Sequence, residues 1–230
     1  ELNNSQFDGI TIDFESLKGN DNAMLLNSFL LDLSKELDTY NKTLYVAVPP
    51  KTYFDGYDYS TIGDIADQVI LMAHDYEAKR LNVSEMERGY TNTPLTPIKY
   101  IYNDLKAITD PINGVKDLNK IWLQISFSSA QWQLKNEKVI NSTPYVPTYK
   151  MIQERLIQDQ TKLNYDVISQ NPYATYYNEE LEIHNKIWYE DSRSVSEKIK
   201  LAKMFKVNGI SLWSIGNIPD YPKNTNTYLD

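Results

Sequence analysis

Two carboxylates stand two residues apart in Asp8-Gly9-Ile10-Thr11-Ile12-Asp13-Phe14-Glu15, inside an otherwise apolar run. Side chains on a strand alternate faces, so Thr11, Asp13 and Glu15 fall on one side and Ile10, Ile12 and Phe14 on the other. Burial and a like-charged neighbour both raise the cost of ionising a carboxyl. One acid of such a pair can therefore keep its proton near neutral pH and serve as a general acid. That chemistry protonates the leaving oxygen of a glycosidic bond. The same spacing also fits a plain strand whose acids lie at a solvated edge, and spacing alone does not separate the two.

Acids at a strand end need neighbouring elements to hold them. The chain alternates short apolar runs with amphipathic helical stretches, the pattern of a parallel α/β architecture. Residues 21–37 carry a helical face of Leu25, Leu26, Phe29, Leu30, Leu33 and Leu37. Residues 43–48 read as a buried strand stopped by Pro49-Pro50, and a helical turn at 62–66 leads into an apolar run at 68–73. A helix is expected at 97–108 and a strand at 120–127. From 128 to 187 the alternation gives way to polar, Tyr-rich and Pro-containing pieces with one helix at 149–159, which reads as an insertion. A helix at 194–205 and a strand at 209–215 resume the simple pattern. In a parallel α/β barrel the chemistry sits at the carboxyl ends of the strands. The candidates there are Asp13 and Glu15, Met72-Ala73-His74-Asp75-Tyr76, Gln124 with Ser126, and Trp213.

At 230 residues the chain can bury a sizeable core, and one domain fits better than two. No apolar run approaches the roughly 20 residues that span a membrane. A net charge of -8 and a pI near 4.9 argue against nucleic acid as a partner through bulk electrostatics. Without cysteine, disulfides, thiol nucleophiles and thiolate metal sites are excluded. The 18 Tyr and 4 Trp suit stacking on sugar rings as well as core packing. The chain opens at Glu1 with no Met and no signal segment, which reads as a piece of something longer.

The opening run resembles the Asp-x-x-Asp-x-Asp-x-Glu signature of glycoside hydrolase family 18, the chitinase and N-acetylglucosaminidase family. Met72-Ala73-His74-Asp75 resembles the family's Met-x-Tyr-Asp, and Gly209-Ile210-Ser211-Leu212-Trp213 its last strand. Tyr45-Val46-Ala47-Val48-Pro49-Pro50-Lys51 and Trp188-Tyr189-Glu190-Asp191-Ser192-Arg193-Ser194 are similar to bacterial spore-cortex-lytic and cell-wall members. The resemblance implies a TIM-type (β/α)8 barrel lacking its first three strands, with strands four to seven in residues 1–127, an α+β subdomain in 128–187, and the last helix and strand in 188–230. It implies Glu15 as the catalytic acid and Asp13 as its helper. Substrate contacts would come from Asp75, His74 (where the family has Tyr) or neighbouring Tyr76, and Met72, with Trp213 as the floor under the sugar. Gln124 and Trp132 join the candidate substrate contacts, Trp132 as an exposed residue between Gln131 and Gln133. Thr11 stands where the family has its second Asp. No cofactor or metal is implied.

The implied partner is an N-acetylated polysaccharide, and the location expected for a full-length parent is extracellular, cell wall or spore. An open barrel would add self-association through its edges. A noncatalytic sugar-binding protein on the same fold is the competing reading, which the presence of Glu15 disfavours. His74 and His184 are not read as a metal pair, and Glu85 and Glu87 read as a solvated face.

Overall fold

In a computed structural model of the chain, residues 6–74, 76 and 80–221 are described. In chain order the strands are β1 (Gly9–Ile12), β2 (Thr43–Val48), β3 (Gln68–Met72), β4 (Ile121–Ser126), β5 (Ala130–Lys135), β6 (Lys138–Val139), β7 (Lys162–Asp166), β8 (Asn171–Asn178), β9 (Ile183–Trp188) and β10 (Gly209–Trp213). The helices are α1 (Asn20–Asp38), α2 (Tyr59–Ile65), α3 (Val83–Glu87), α4 (Ile98–Ile108), α5 (Tyr149–Leu156) and α6 (Ser192–Met204). The chain divides into two compact units. One takes the residues up to Ala73 with Ile101–Ile125 and Ile199–Ser211; the other takes His74–Tyr100, Ser126–Lys198 and the residues from Leu212 onward.

The first unit is organised by a sheet of order β1-β2-β3-β4-β10. β1 with β2, β2 with β3 and β3 with β4 pair in parallel. Strands covered on both faces read as continuous apolar runs, which is why Thr43–Val48 and Gln68–Met72 show so little alternation. On one face Leu44, Val46, Val48, Val69, Leu71, Ile121 and Leu123 are buried, as are Leu26, Leu30 and Leu37 of α1 and Ile62 of α2. α1 packs on β2 and α2, and α2 packs on β3. On the other face Ala47, Ile70 and Met72 cluster, with Tyr45 and Trp122 packed on them. The register sets Thr11 beside Tyr45 on that second face. Two glycines make the sheet possible. A Cβ on Gly9 would stand 2.2 Å from the Thr43 carbonyl oxygen, and one on Gly209 would stand 2.4 Å from the Trp122 ring.

The second unit holds an antiparallel sheet of order β6-β5-β9-β8-β7. Ile152 and Leu156 of α5 are buried with Leu163, Ala174, Ile187 and Tyr189. Leu81, Trp132, Val139 and Trp188 form a second core with Met86 and Tyr90 packed against it. Glu85 is not merely solvated: it completes a capping box with Asn82 at the start of α3. Glu190, just before α6, and Lys198, midway along it, form an ion pair of 2.8 Å with both side chains 1% exposed. Glu190 also accepts from Asn171 at 2.8 Å and Ser194 at 2.5 Å, the satisfaction a buried charge requires. Among the described residues no helix is long and apolar enough to cross a membrane.

Candidate active site

β1 ends at Ile12, so Asp13 is the first residue past the strand and Glu15 lies two further on. Apolar alternation runs through Phe14, but the backbone leaves the ladder before it. Both acids are exposed. Phe14 turns its ring onto Phe29 of α1, with centroids 5.5 Å apart. Ser16 follows at φ 66°, a left-handed conformation uncommon outside glycine.

The loop after β2 grips this turn. Tyr57, 1% exposed, donates its hydroxyl to the Phe14 carbonyl and accepts from the Leu17 amide at 3.3 Å. The Gly56 amide donates to the Leu17 carbonyl at 3.2 Å, and Asp55 Oδ1 accepts from the Gly19 amide at 2.9 Å. Burial pushes the Tyr57 phenol above its usual range; the Leu17 amide pulls it back, and the charges of Glu15 and then Asp13 push it up again. The two acids therefore lie within electrostatic reach of one buried hydroxyl.

Tyr57 is followed directly by the capped start of α2. Asp58 caps α2, accepting from the Thr61 amide at 3.2 Å and its hydroxyl at 2.6 Å. Burial raises the Asp58 carboxyl, but these bonds and the Lys51 charge outweigh it and leave the group below the usual range. The Tyr59 hydroxyl donates to the Pro49 carbonyl at 2.7 Å. Beside this segment lies a cleft of about 650 Å³ lined in part by Asn20, Asn27, Lys51, Asp55 and Tyr57. Tyr57 was missed in the sequence, where its only signal is its place in the loop after the strand next to β1.

The other candidates divide between the units. In the first, Met72 ends β3 with its side chain in the cluster of Ala47 and Ile70. Gln124 is buried and donates to Ser211 Oγ at 3.2 Å. In the second, His74 is half-buried, and Tyr76 is buried with its ring 5.4 Å from that of Tyr100. Asp75 lies outside the described residues. Trp213 ends β10 with 54% of its surface exposed, and its carbonyl accepts from the Phe127 amide at 2.6 Å. The Trp213-Ser214 peptide bond is cis. Ser126 Oγ accepts from the Ser128 amide at 3.2 Å.

Trp132 corrects the expectation of an exposed, sugar-facing ring. It is 0% exposed, and its indole N–H donates to Thr93 Oγ1 at 2.6 Å. Gln131 and Gln133 sit on the opposite face of β5, where both donate to Asn185 Oδ1, at 2.9 and 3.2 Å.

The family model of glycosyl hydrolases family 18 matches residues 1–217. The cortical fragment-lytic enzyme of Bacillus anthracis is 27% identical over 228 residues, which cover 94% of this chain and 47% of that protein. The spore cortex-lytic enzyme SleL of Bacillus megaterium QM B1551 superposes with a TM-score of 0.75 at 24% identity, over 95% of this chain and 48% of that one. The chitinase of Chromobacterium violaceum ATCC 12472 also gives a TM-score of 0.75, at 20% identity, over 94% of this chain and 63% of that one. The chain spans about half the length of the curated relatives it matches.

Proposed function

The chain belongs to glycosyl hydrolases family 18, and from that premise we propose that it is a glycosidase cleaving β-1,4 bonds next to N-acetylated sugars in spore cortex, peptidoglycan or a chitin-like polymer. The observation that carries this reading is the pair Asp13 and Glu15 just past the carboxyl end of β1, in a sheet of parallel strands. In the proposed reaction Glu15 gives its proton to the leaving oxygen while the substrate's own acetamido oxygen attacks the anomeric carbon. Water then opens the resulting oxazolinium ion, passing a proton back to Glu15, and configuration is retained. Asp13 orients the acetamido group and stabilises its positive charge. By the family resemblance, Asp75 and either His74 or Tyr76 would supply hydrogen bonds, Met72 and Gln124 would be further substrate contacts, and Trp213 would stack under the sugar. The five strands of the first unit are read as strands four to eight of a (β/α)8 barrel, and the antiparallel sheet as its inserted subdomain.

Cortex fragments and N-acetylchitooligosaccharides are the substrates to assay, the first chosen from the relatives' names and the second from the family. Glu15→Gln is expected to lower turnover by roughly two to four orders of magnitude, with glycan binding retained by calorimetry. Undiminished hydrolysis in that variant would overturn the assignment. Binding without turnover by the unaltered chain would favour the noncatalytic reading.

A further inference from the structure

We propose that Tyr57 is the positioning residue of Glu15: a single buried hydroxyl holds the backbone on both sides of Glu15-Ser16 and so fixes where the carboxyl stands. The proposal rests on Glu15 being the proton donor. The segment needs such a hold because β1 has ended, and its backbone groups no longer have the sheet ladder to satisfy them. Ser16 at φ 66° is a costly conformation that persists only where its surroundings over-determine it. Tyr57 supplies that on both sides, donating to the Phe14 carbonyl and accepting from the Leu17 amide. The grip is rigid because the ring is 1% exposed and is followed directly by the capped start of α2. The Gly56-to-Leu17 and Gly19-to-Asp55 bonds lie on the far side of Ser16 and leave Phe14 untouched. Tyr57 alone of these groups spans the acid. With the phenol held above its usual range, it stays protonated and keeps its donor at neutral pH.

Tyr57→Phe removes the hydroxyl and leaves the ring. Tyr59→Phe is the matched control, because it deletes another buried hydroxyl of the same segment that bonds Pro49 instead. With a methylumbelliferyl glycoside of di-N-acetylchitobiose, Tyr57→Phe is expected to lower kcat on the order of ten- to a hundredfold with KM nearly unchanged, since small misplacements of a reacting group cost that much. Tyr59→Phe is expected to keep its kcat. In hydrogen exchange the Leu17 amide should lose protection in Tyr57→Phe while the amides of β2 and β3 keep theirs. An unchanged kcat in Tyr57→Phe, or an equal fall in both variants, overturns the proposal. Should the unaltered chain not turn over the glycoside, the reading of function fails separately. The exchange measurement then decides: unchanged Leu17 protection overturns the grip, and selective loss upholds it.

Discussion

Ser16 is where the chain turns after β1 has ended, and its φ of 66° sets the direction of everything after Glu15. A non-glycine residue there costs about 1–2 kcal/mol, whereas glycine adopts the conformation freely but loses about 0.5–1 kcal/mol through the unfolded chain. The difference is a gain of about 0–1.5 kcal/mol, so Ser16→Gly is expected to leave stability unchanged or raise it by up to about 1.5 kcal/mol. Ser16→Val puts a β-branched side chain at positive φ and is expected to destabilise by about 1–3 kcal/mol. Urea unfolding of both variants checks this, and a Val variant as stable as the Gly one would contradict it. At this scale the acids were legible because their motif is local. The grip on them was not, since Tyr57 reaches Phe14 across 43 positions. Trp132 misled for a different reason. Polar neighbours on a strand point to the opposite face, so Gln131 and Gln133 carry no information about the exposure of the residue between them.

The helices and parallel strands were the most legible elements. The strand expected at 43–48 is Thr43–Val48, and the helix expected at 21–37 is Asn20–Asp38, because apolar period and proline stops are local signals. The sheet of β5 to β9 was not legible beyond its helix. Its strands carry amides and tyrosines where an apolar stripe would announce a face, and cations lie over those rings. Arg155 sits 4.0 Å from the centroid of Tyr176, and Lys186 sits 4.2 Å from Tyr173 and 4.4 Å from Trp188. The rings favour the ammonium form of Lys186, but burial outweighs them and, with Asp166 opposing it, pulls the amine from its ordinary 10.5 down to about 8. Between those values the unfolded chain holds the proton that the folded one has lost, so stability rises with pH across that window. Below about pH 8 the cost of the buried charge is fully present. Lys186→Met removes the group, so its stability advantage over the unaltered chain is expected to shrink as pH climbs from about 8 to about 10.5. Urea midpoints measured in parallel across that range check it, and a constant difference would contradict it.

At the scale of the whole molecule the sheet of the first unit ends at β1 on one side and β10 on the other. Among the described residues no strand pairs with the outer edge of β1, and beside it Phe14 stacks on Phe29 with Leu25 one turn back along α1. These side chains are 48%, 42% and 69% exposed. An unpaired edge next to an apolar stripe can template pairing with another chain, and for these 230 residues in isolation the chain at hand is a second copy. Full burial from an exposed state gives about 1.5–3 kcal/mol each, so covering what remains of these part-buried side chains gives roughly half of that, counted twice in a two-fold pair. Association costs about 4–15 kcal/mol, comparable with that gain, so pairing of this kind is weak and depends on concentration. The net charge of -8 on each copy opposes it, and salt screens that repulsion. Light scattering is therefore expected to show the mass rising from the 26.7 kDa monomer with concentration, and rising further with added salt. Leu25→Glu places a like charge in the stripe and should hold the chain monomeric. A monomer at every concentration, or association that salt weakens and Leu25→Glu leaves unaltered, would refute the pairing.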